Sequence, residues 1–239
     1  MKHIMVVFLI LFSCITYAGT ADSKKKTSSQ QVLVGSVCRT PEIVFDFQMP
    51  PVIYTTNLSP KQFLKKIGEK PCHEANGQKI CTDGVTIFPE IQNTLVMKTK
   101  AIKAKNQLYL CPSQIIVQTK YTPPKIDVYL SNKYKKSSCE FKTIKEHEDY
   151  HVQTFQQSIL FYNPQIKKFL IQTTQNLPAI VMKQDSDMTE LTTRYATSVV
   201  QKFVSVQQYI NQKVTEKNLA IDTPESYAET QAKCNNWEF

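Results

Sequence analysis

At Cys139 the hydrophobic period of this chain changes, and that switch constrains the fold more than any other feature. Upstream, from Val32 to Tyr134, short β-branched or aromatic runs recur between Pro, Gly and Asn breaks. Val32-Leu33-Val34, Ile43-Val44-Phe45-Asp46-Phe47 and Val52-Ile53-Tyr54 read as strands, as do segments near 85–88, 94–102, 107–110, 114–121 and 125–131. Asn106 and Pro123-Pro124 mark turns. One helix interrupts this half: Ser59 is placed to cap it, Pro60 occupies its first turn and Gly68 stops it. Downstream, Ile144, His147, His151, Phe155, Ile159 and Tyr162 form one helical stripe, expected to break or kink at Asn163-Pro164 and to resume as far as Leu177. A long helix starts at Asp187, with Leu191, Tyr195, Val199, Phe203, Val206, Ile210 and Val214 on one face. A last short helix starts near Asp222 and runs toward Trp237. The pattern predicts an α+β fold. A strand-rich N-terminal half (32–134) with an antiparallel sheet joins a helical C-terminal half (139–239), together a single domain over 32–239.

The N-terminus places that domain. Met1-Lys2-His3 is basic, Ile4 to Phe12 is apolar but too short to span a bilayer, and Thr16-Tyr17-Ala18 suits a signal peptidase. Residues 1–18 read as a secretory signal peptide and 19–31, with three consecutive lysines, as a disordered lead-in. The expected location is the periplasm or the medium. Leu11-Phe12-Ser13-Cys14 offers the alternative of a lipoprotein anchored through Cys14. No transmembrane span is expected in the mature chain.

Export gives the cysteines their meaning. Cys38, Cys72, Cys81, Cys111, Cys139 and Cys234 remain after cleavage, an even set that favours disulfide bonds over thiolate metal sites in an oxidising compartment. Cys72 and Cys81 bracket Asn76-Gly77, a hairpin-turn dipeptide, and form an expected pair across that hairpin. The formal net charge of +9 raises the question of nucleic acid. Arg39 and Arg194 are the only arginines, and the lysines are dispersed, so no nucleic-acid partner is expected.

The chemistry is concentrated in Lys145-Glu146-His147-Glu148-Asp149-Tyr150-His151, which contains His-Glu-x-x-His. Helical residues four apart lie about 40° apart around the axis and about 6 Å along it. Two imidazoles at that spacing grip one zinc ion from the same face, and the intervening glutamate reaches a metal-bound water. Glu148 is then the general base, with zinc activating the water and polarising the scissile carbonyl. A strand-like segment, Ile126 to Ser131, precedes the helix and suggests a sheet edge for holding an extended peptide. Lys145, Asp149 and Gln153 are polar where a buried metal helix would favour apolar residues.

His147-Glu148-Asp149-Tyr150-His151 resembles the signature of the zincin metallopeptidases. The wider run Ser138-Cys139-Glu140-Phe141 to His151-Val152 is similar to a group of secreted bacterial proteins predicted to be zinc-dependent proteases. That resemblance covers roughly Ile126 to Trp237 and implies His147 and His151 as ligands and Glu148 as catalytic base. No Gly-x-x-His follows His151, so the resemblance does not extend to the metzincins.

A catalytic zinc takes three protein ligands and a water. No histidine follows His151, so the third ligand is expected to be a downstream carboxylate. Glu190 and Glu225 stand three residues after Asp187 and Asp222, a spacing that helix capping explains without metal. Glu229 has no such explanation. If Cys139 pairs with Cys234, the terminal helix is pinned beside the motif helix, and Glu229 is the expected third ligand. Tyr227 is a lesser candidate, and His73 reads as a surface histidine. The sequence thus predicts an exported zinc hydrolase acting on a peptide or protein substrate, such as an envelope protein or a cell-wall peptide. The competing reading is a non-catalytic secreted or envelope binding protein that keeps the helix without the metal.

Overall fold

The computed structural model describes residues 32–68, 72–75, 78–81 and 83–237. The expected signal peptide and lead-in, with Cys14, lie outside the described residues, as do the side chains of Cys72, His73 and Cys81. The first half contains a single helical turn α1 (Val34–Val37), strands β1 (Glu42–Asp46) and β2 (Val52–Leu58), and helix α2 (Pro60–Ile67). Strands β3 (Cys72–Ala75), β4 (Gln78–Cys81), β5 (Gly84–Ile87), β6 (Glu90–Ala104), β7 (Gln107–Thr122) and β8 (Ile126–Ser131) follow. The second half holds α3 (Cys139–Gln175), the two-residue strand β9 (Ile180–Val181), α4 (Met188–Leu219) and α5 (Pro224–Ala232).

Local chemistry accounts for most of these boundaries. Ser59 Oγ accepts from the Gln62 amide while the Gln62 side chain accepts from the Ser59 amide, a reciprocal capping box with Pro60 behind it. Lys105 and Asn106 both adopt positive φ, 47° and 60°, as a two-residue hairpin turn demands, and Ala104 pairs with Gln107 across it. Asp187 caps α4 by accepting from the Thr189 and Glu190 amides. The Val32–Val34 run is not a strand. Leu33 makes one isolated bridge to Pro178, and Val34 starts α1 with its amide bonded to the Leu177 carbonyl.

The sheets are mixed rather than purely antiparallel. In one, β7 lies between β1, which runs parallel to it, and β6, which is antiparallel, with β9 also on β7. In the other, β8 lies between parallel β2 and antiparallel β5. Alternation in sequence reveals that a strand exists but not its direction. Here β1 and β2 find partners far along the chain, with connections long enough for parallel pairing. All six residues of β8 are buried, as a central strand requires, so β8 is not the peptide-holding edge that its position before the motif suggested. Among the described strands of that sheet, the edges are β2 and β5.

α3 runs unbroken through Pro164, where a break or kink was expected, so the break does not occur. Proline removes one helical hydrogen bond, but Pro164 and Leu160, whose carbonyl loses its partner, are both exposed, so water can serve that carbonyl. The stripe of α3 (Ile144, Val152, Phe155, Ile159, Ile166, Leu170) shares one core with Tyr195, Val199, Phe203 and Ile210 of α4 and with Leu110, Ile115 and Val117 of β7. Each such side chain contributes about 1.5–3 kcal/mol by leaving water. Of the adjacent aromatics, Tyr162 is in this core but Phe161 is exposed beneath the Lys217 ammonium. Trp237 packs edge-on to Tyr134 and donates to the Gln231 carbonyl, securing the end of the chain.

Among the described residues, two disulfides fit a chain that folds in an oxidising compartment. Cys38–Cys111 ties the segment after α1 to β7, and Cys139–Cys234 ties the first residue of α3 to the segment after α5. The β3–β4 register sets Cys72 opposite Cys81. Among the described residues, no helix is long and apolar enough to cross a membrane.

Candidate metal centre

The site is built on the first four turns of α3. Ser138 caps that helix by accepting from the Phe141 amide, and Cys139 anchors it to Cys234. One turn in, Ile144 turns toward the core. The same face then carries His147 and His151, whose ring centroids are 4.9 Å apart and whose Nε2 atoms approach to 3.2 Å.

The third member comes from the turn between α4 and α5. Asp222 Oδ1 lies 3.1 Å from His147 Nε2 and 3.0 Å from His151 Nε2. Ile221, buried beside it, holds this turn against the body of the protein. Tyr227, on α5, donates its hydroxyl to the same Oδ1 at 2.9 Å and lays its ring against His147. The imidazoles are 8% and 7% exposed and the carboxylate 33%, so the acid forms the mouth of the cluster.

The donor set suits zinc: two imidazole nitrogens and one carboxylate oxygen. Donors about 2.0–2.1 Å from a zinc ion at tetrahedral angles are about 3.3–3.4 Å apart. The three edges of this triangle measure 3.2, 3.1 and 3.0 Å, close to one face of such a tetrahedron. It is the one grouping of at least three His, Cys, Asp or Glu donors suited to an ion among the described residues.

Glu148 sits beside the triangle and is 2% exposed. Its Oε2 accepts from the Thr86 hydroxyl at 2.7 Å, so β5 holds the carboxylate from the sheet side. The strand comes close because residue 84 is glycine. A Cβ there would stand 2.7 Å from both Glu148 Oε1 and Ile144 Cγ2. Phe88 stacks on Phe155 at 4.8 Å and tilts toward His151, closing that flank with apolar surface.

The electrostatics follow from burial and contacts. Burial pushes the Glu148 carboxyl above its ordinary value, and the bond from Thr86 offsets this only in part. Burial also works against the Asp222 charge, but hydrogen bonds from His147 and His151 outweigh it and hold that carboxyl far below the usual range. For His151, burial alone would favour the neutral ring, and the bond to Asp222 reverses this, raising its proton affinity.

The polar residues of the motif have a separate task. Asp149 accepts from Tyr54 of β2 at 2.6 Å and from Lys145 at 2.6 Å, and the Lys145 ammonium lies over the Tyr54 ring. Burial first and Asp149 second push the Tyr54 hydroxyl up to about 12. Lys145 and Asp149 thus dock the outer face of the helix on β2 and leave the inner face to the histidines.

The structure brings His147 and His151 together with Glu148 buried beside them, and Cys139 is bonded to Cys234. Glu229 does not join them. α5 turns Tyr227 inward, and Glu229, two residues and about 200° further round the helix, is exposed on the opposite side. Asp222 takes that place because it is not a helix cap. Thr223 caps α5 by accepting from the Ser226 amide, which frees the Asp222 carboxylate. Thr223-Pro224 is the same signature as Ser59-Pro60, and reading it so would have released Asp222 from capping. Thr86 and Gly84 carry no comparable signal. Family models, curated proteins and solved structures give no match to this chain.

Proposed function

We propose that this chain is an exported zinc-dependent peptidase with His147, His151 and Asp222 as ligands and Glu148 as general base. The observation that carries the reading is the triangle of His147 Nε2, His151 Nε2 and Asp222 Oδ1 beside a buried carboxylate. Zinc, when bound, would lower the pKa of a water and polarise the substrate carbonyl. Glu148, fixed by Thr86 through Oε2, would take the proton of the attacking water and return it to the departing amine nitrogen. Its elevated proton affinity brings it closer to the range in which a carboxylate both accepts and releases a proton near neutral pH. Tyr227 would steady the Asp222 carboxylate, and the Phe88–Phe155 stack would keep bulk water from the His151 flank. The two disulfides and the apolar leader support action outside the cytoplasm, on an envelope protein or a cell-wall peptide.

A non-catalytic binding protein is the second reading. It draws on the same geometry, because Asp222 satisfies both imidazoles by hydrogen bonds without an ion. Zinc analysis of the purified protein and hydrolysis of casein with and without chelator separate the two. The peptidase reading expects about one equivalent of zinc, activity abolished by chelator, and a Glu148→Gln variant that keeps the metal and loses turnover. Protein without zinc, or turnover indifferent to both chelator and Glu148→Gln, refutes it.

A further inference from the structure

The two long helices carry charge of one sign over most of their length. α3 has no acidic residue from Tyr150 to its end at Gln175, and α4 has none from Leu191 to Thr215. Those stretches hold Lys167, Lys168, Arg194, Lys202 and Lys213. The first acid beyond them on α4, Glu216, is already engaged, because its carboxylate accepts from Lys213 and from Gln212.

Exposed aromatic rings lie on the same helices. Tyr150, three residues after His147, and Phe161 are each 57% exposed. Three turns separate them, so they stand within about 20° of one another around α3 and about 17 Å apart along it. α4 runs back toward the metal centre and sets the Lys217 ammonium over the Phe161 ring at 4.6 Å and the buried Tyr162 ring at 5.5 Å. About two turns earlier on α4, Tyr209 is 54% exposed, with the Lys213 ammonium 5.7 Å from its centroid. Among the described residues, Lys217 belongs to no ion pair.

Single exposed rings are ordinary on a protein surface, but aromatic rings that start beside the metal centre and continue among unopposed cations suit recognition. The step from Tyr150 to Phe161 is the length of about five residues of extended chain. Lys217 covers one face of Phe161, which leaves a ring edge and an ammonium rather than an open plane for a sugar to stack on.

We infer that this face of α3 and α4 is a second binding region for the substrate, which takes an extended polypeptide segment with acidic and apolar side chains. Its carboxylates pair with Lys217 and with Lys168, two turns beyond Phe161 on the same face of α3. Its apolar side chains pack against Tyr150, Phe161 and Tyr209. The inference rests on the peptidase reading above and names the substrate class: acidic polypeptides long enough to reach from the triangle to Phe161.

The test uses the full mature chain and measures hydrolysis of casein, hydrolysis of a blocked tripeptide, and fluorescence anisotropy of two labelled peptides. One peptide alternates glutamate with leucine, and the other alternates lysine with leucine. Phe161→Ser and Lys217→Glu change exposed side chains, and circular dichroism checks their folding. Each is expected to raise KM for casein about 5–30-fold with kcat unchanged, and to leave hydrolysis of the tripeptide as it was. The parent is expected to bind the acidic peptide more tightly than the basic one, and Lys217→Glu to narrow that difference. Unchanged KM for casein in both variants, equal losses on casein and tripeptide, or a parent that binds the two peptides alike overturns the inference. Binding to phosphatidylglycerol vesicles without binding to the acidic peptide overturns it as well, in favour of a lipid surface. If the parent shows neither zinc nor turnover, the peptidase reading fails, and anisotropy of the acidic peptide on parent and Lys217→Glu still decides whether this face binds it. If either variant does not fold, Tyr209→Ser takes its place with the same expected loss.

Discussion

Replacing Gly84 with alanine adds one methyl group where β5 presses against α3. That Cβ would lie 2.7 Å from Glu148 Oε1, 2.7 Å from Ile144 Cγ2 and 2.9 Å from Glu148 Cγ. Ordinary carbon contacts are about 3.5–4.0 Å, so the strand or the glutamate must yield by nearly 1 Å. Ile144 is anchored in the core and the Thr86 bond fixes Oε2, so the displacement falls on Glu148 and on the β5 backbone together. Overpacking of this kind costs about 1–3 kcal/mol. For a domain of this size that corresponds to a melting temperature lower by roughly 2–12 °C. Misplacement of a catalytic group by about 1 Å costs on the order of 100-fold in rate. The ligand triangle draws nothing from residue 84, so zinc affinity should stay within a few-fold of the parent. Thermal melts, zinc titration and casein hydrolysis read the three quantities separately. Unchanged melting and turnover would refute the close approach of β5 to Glu148, and a collapse of zinc affinity would refute the separation of base from ligands.

Other expectations concern the same small region. In metal-free protein, Glu148→Gln should stabilise the fold at pH 8 by about 1–3 kcal/mol, because the buried carboxylate no longer has to ionise. The folded-state pKa is raised, so the gain should vanish below the ordinary carboxylate range and grow as pH rises through the folded value; a pH-independent difference would count against it. Asp222→Ala should weaken zinc binding by at least 100-fold while Glu229→Ala leaves it unchanged, as isothermal titration would show. Tyr227→Phe removes a hydrogen bond to a charged oxygen, worth about 1.5–3 kcal/mol, and should weaken zinc binding by roughly 10–100-fold with little change in far-ultraviolet circular dichroism. Joint replacement of Cys139 and Cys234 by serine should cost about 2–5 kcal/mol in denaturant melts and loosen zinc binding, because α5 and the turn before it lose their tie to α3.

Features that depend on local chemistry were legible in the sequence. Ser59-Pro60, the Asp187 cap, the Asn106 turn and the stripes of α3 and α4 each follow from a few neighbouring residues. Features that depend on distant partners were not. Nothing in Glu42–Asp46 announces a parallel pairing with β7, and nothing in Ile126–Ser131 distinguishes a central strand from an edge beyond its continuous burial. The site divides the same way. His147, Glu148 and His151 are neighbours in sequence and were found together, whereas Asp222 lies 71 residues beyond His151 and was hidden by a plausible capping role. The error over Glu229 came from assigning Asp222 the cap that Thr223 provides. Thr86 and Gly84 serve Glu148 through a strand contact 62 residues away for Thr86, a relation no local pattern encodes.

The bond between Cys139 and Cys234 spans 95 residues and fastens the helix that bears two of the three donors to the tail beyond the turn that bears the third. A nascent chain in a reducing cytosol lacks that clasp. In the proposed exported enzyme, the tie between the two parts of the triangle therefore closes only on oxidation, once the chain has left the cytosol.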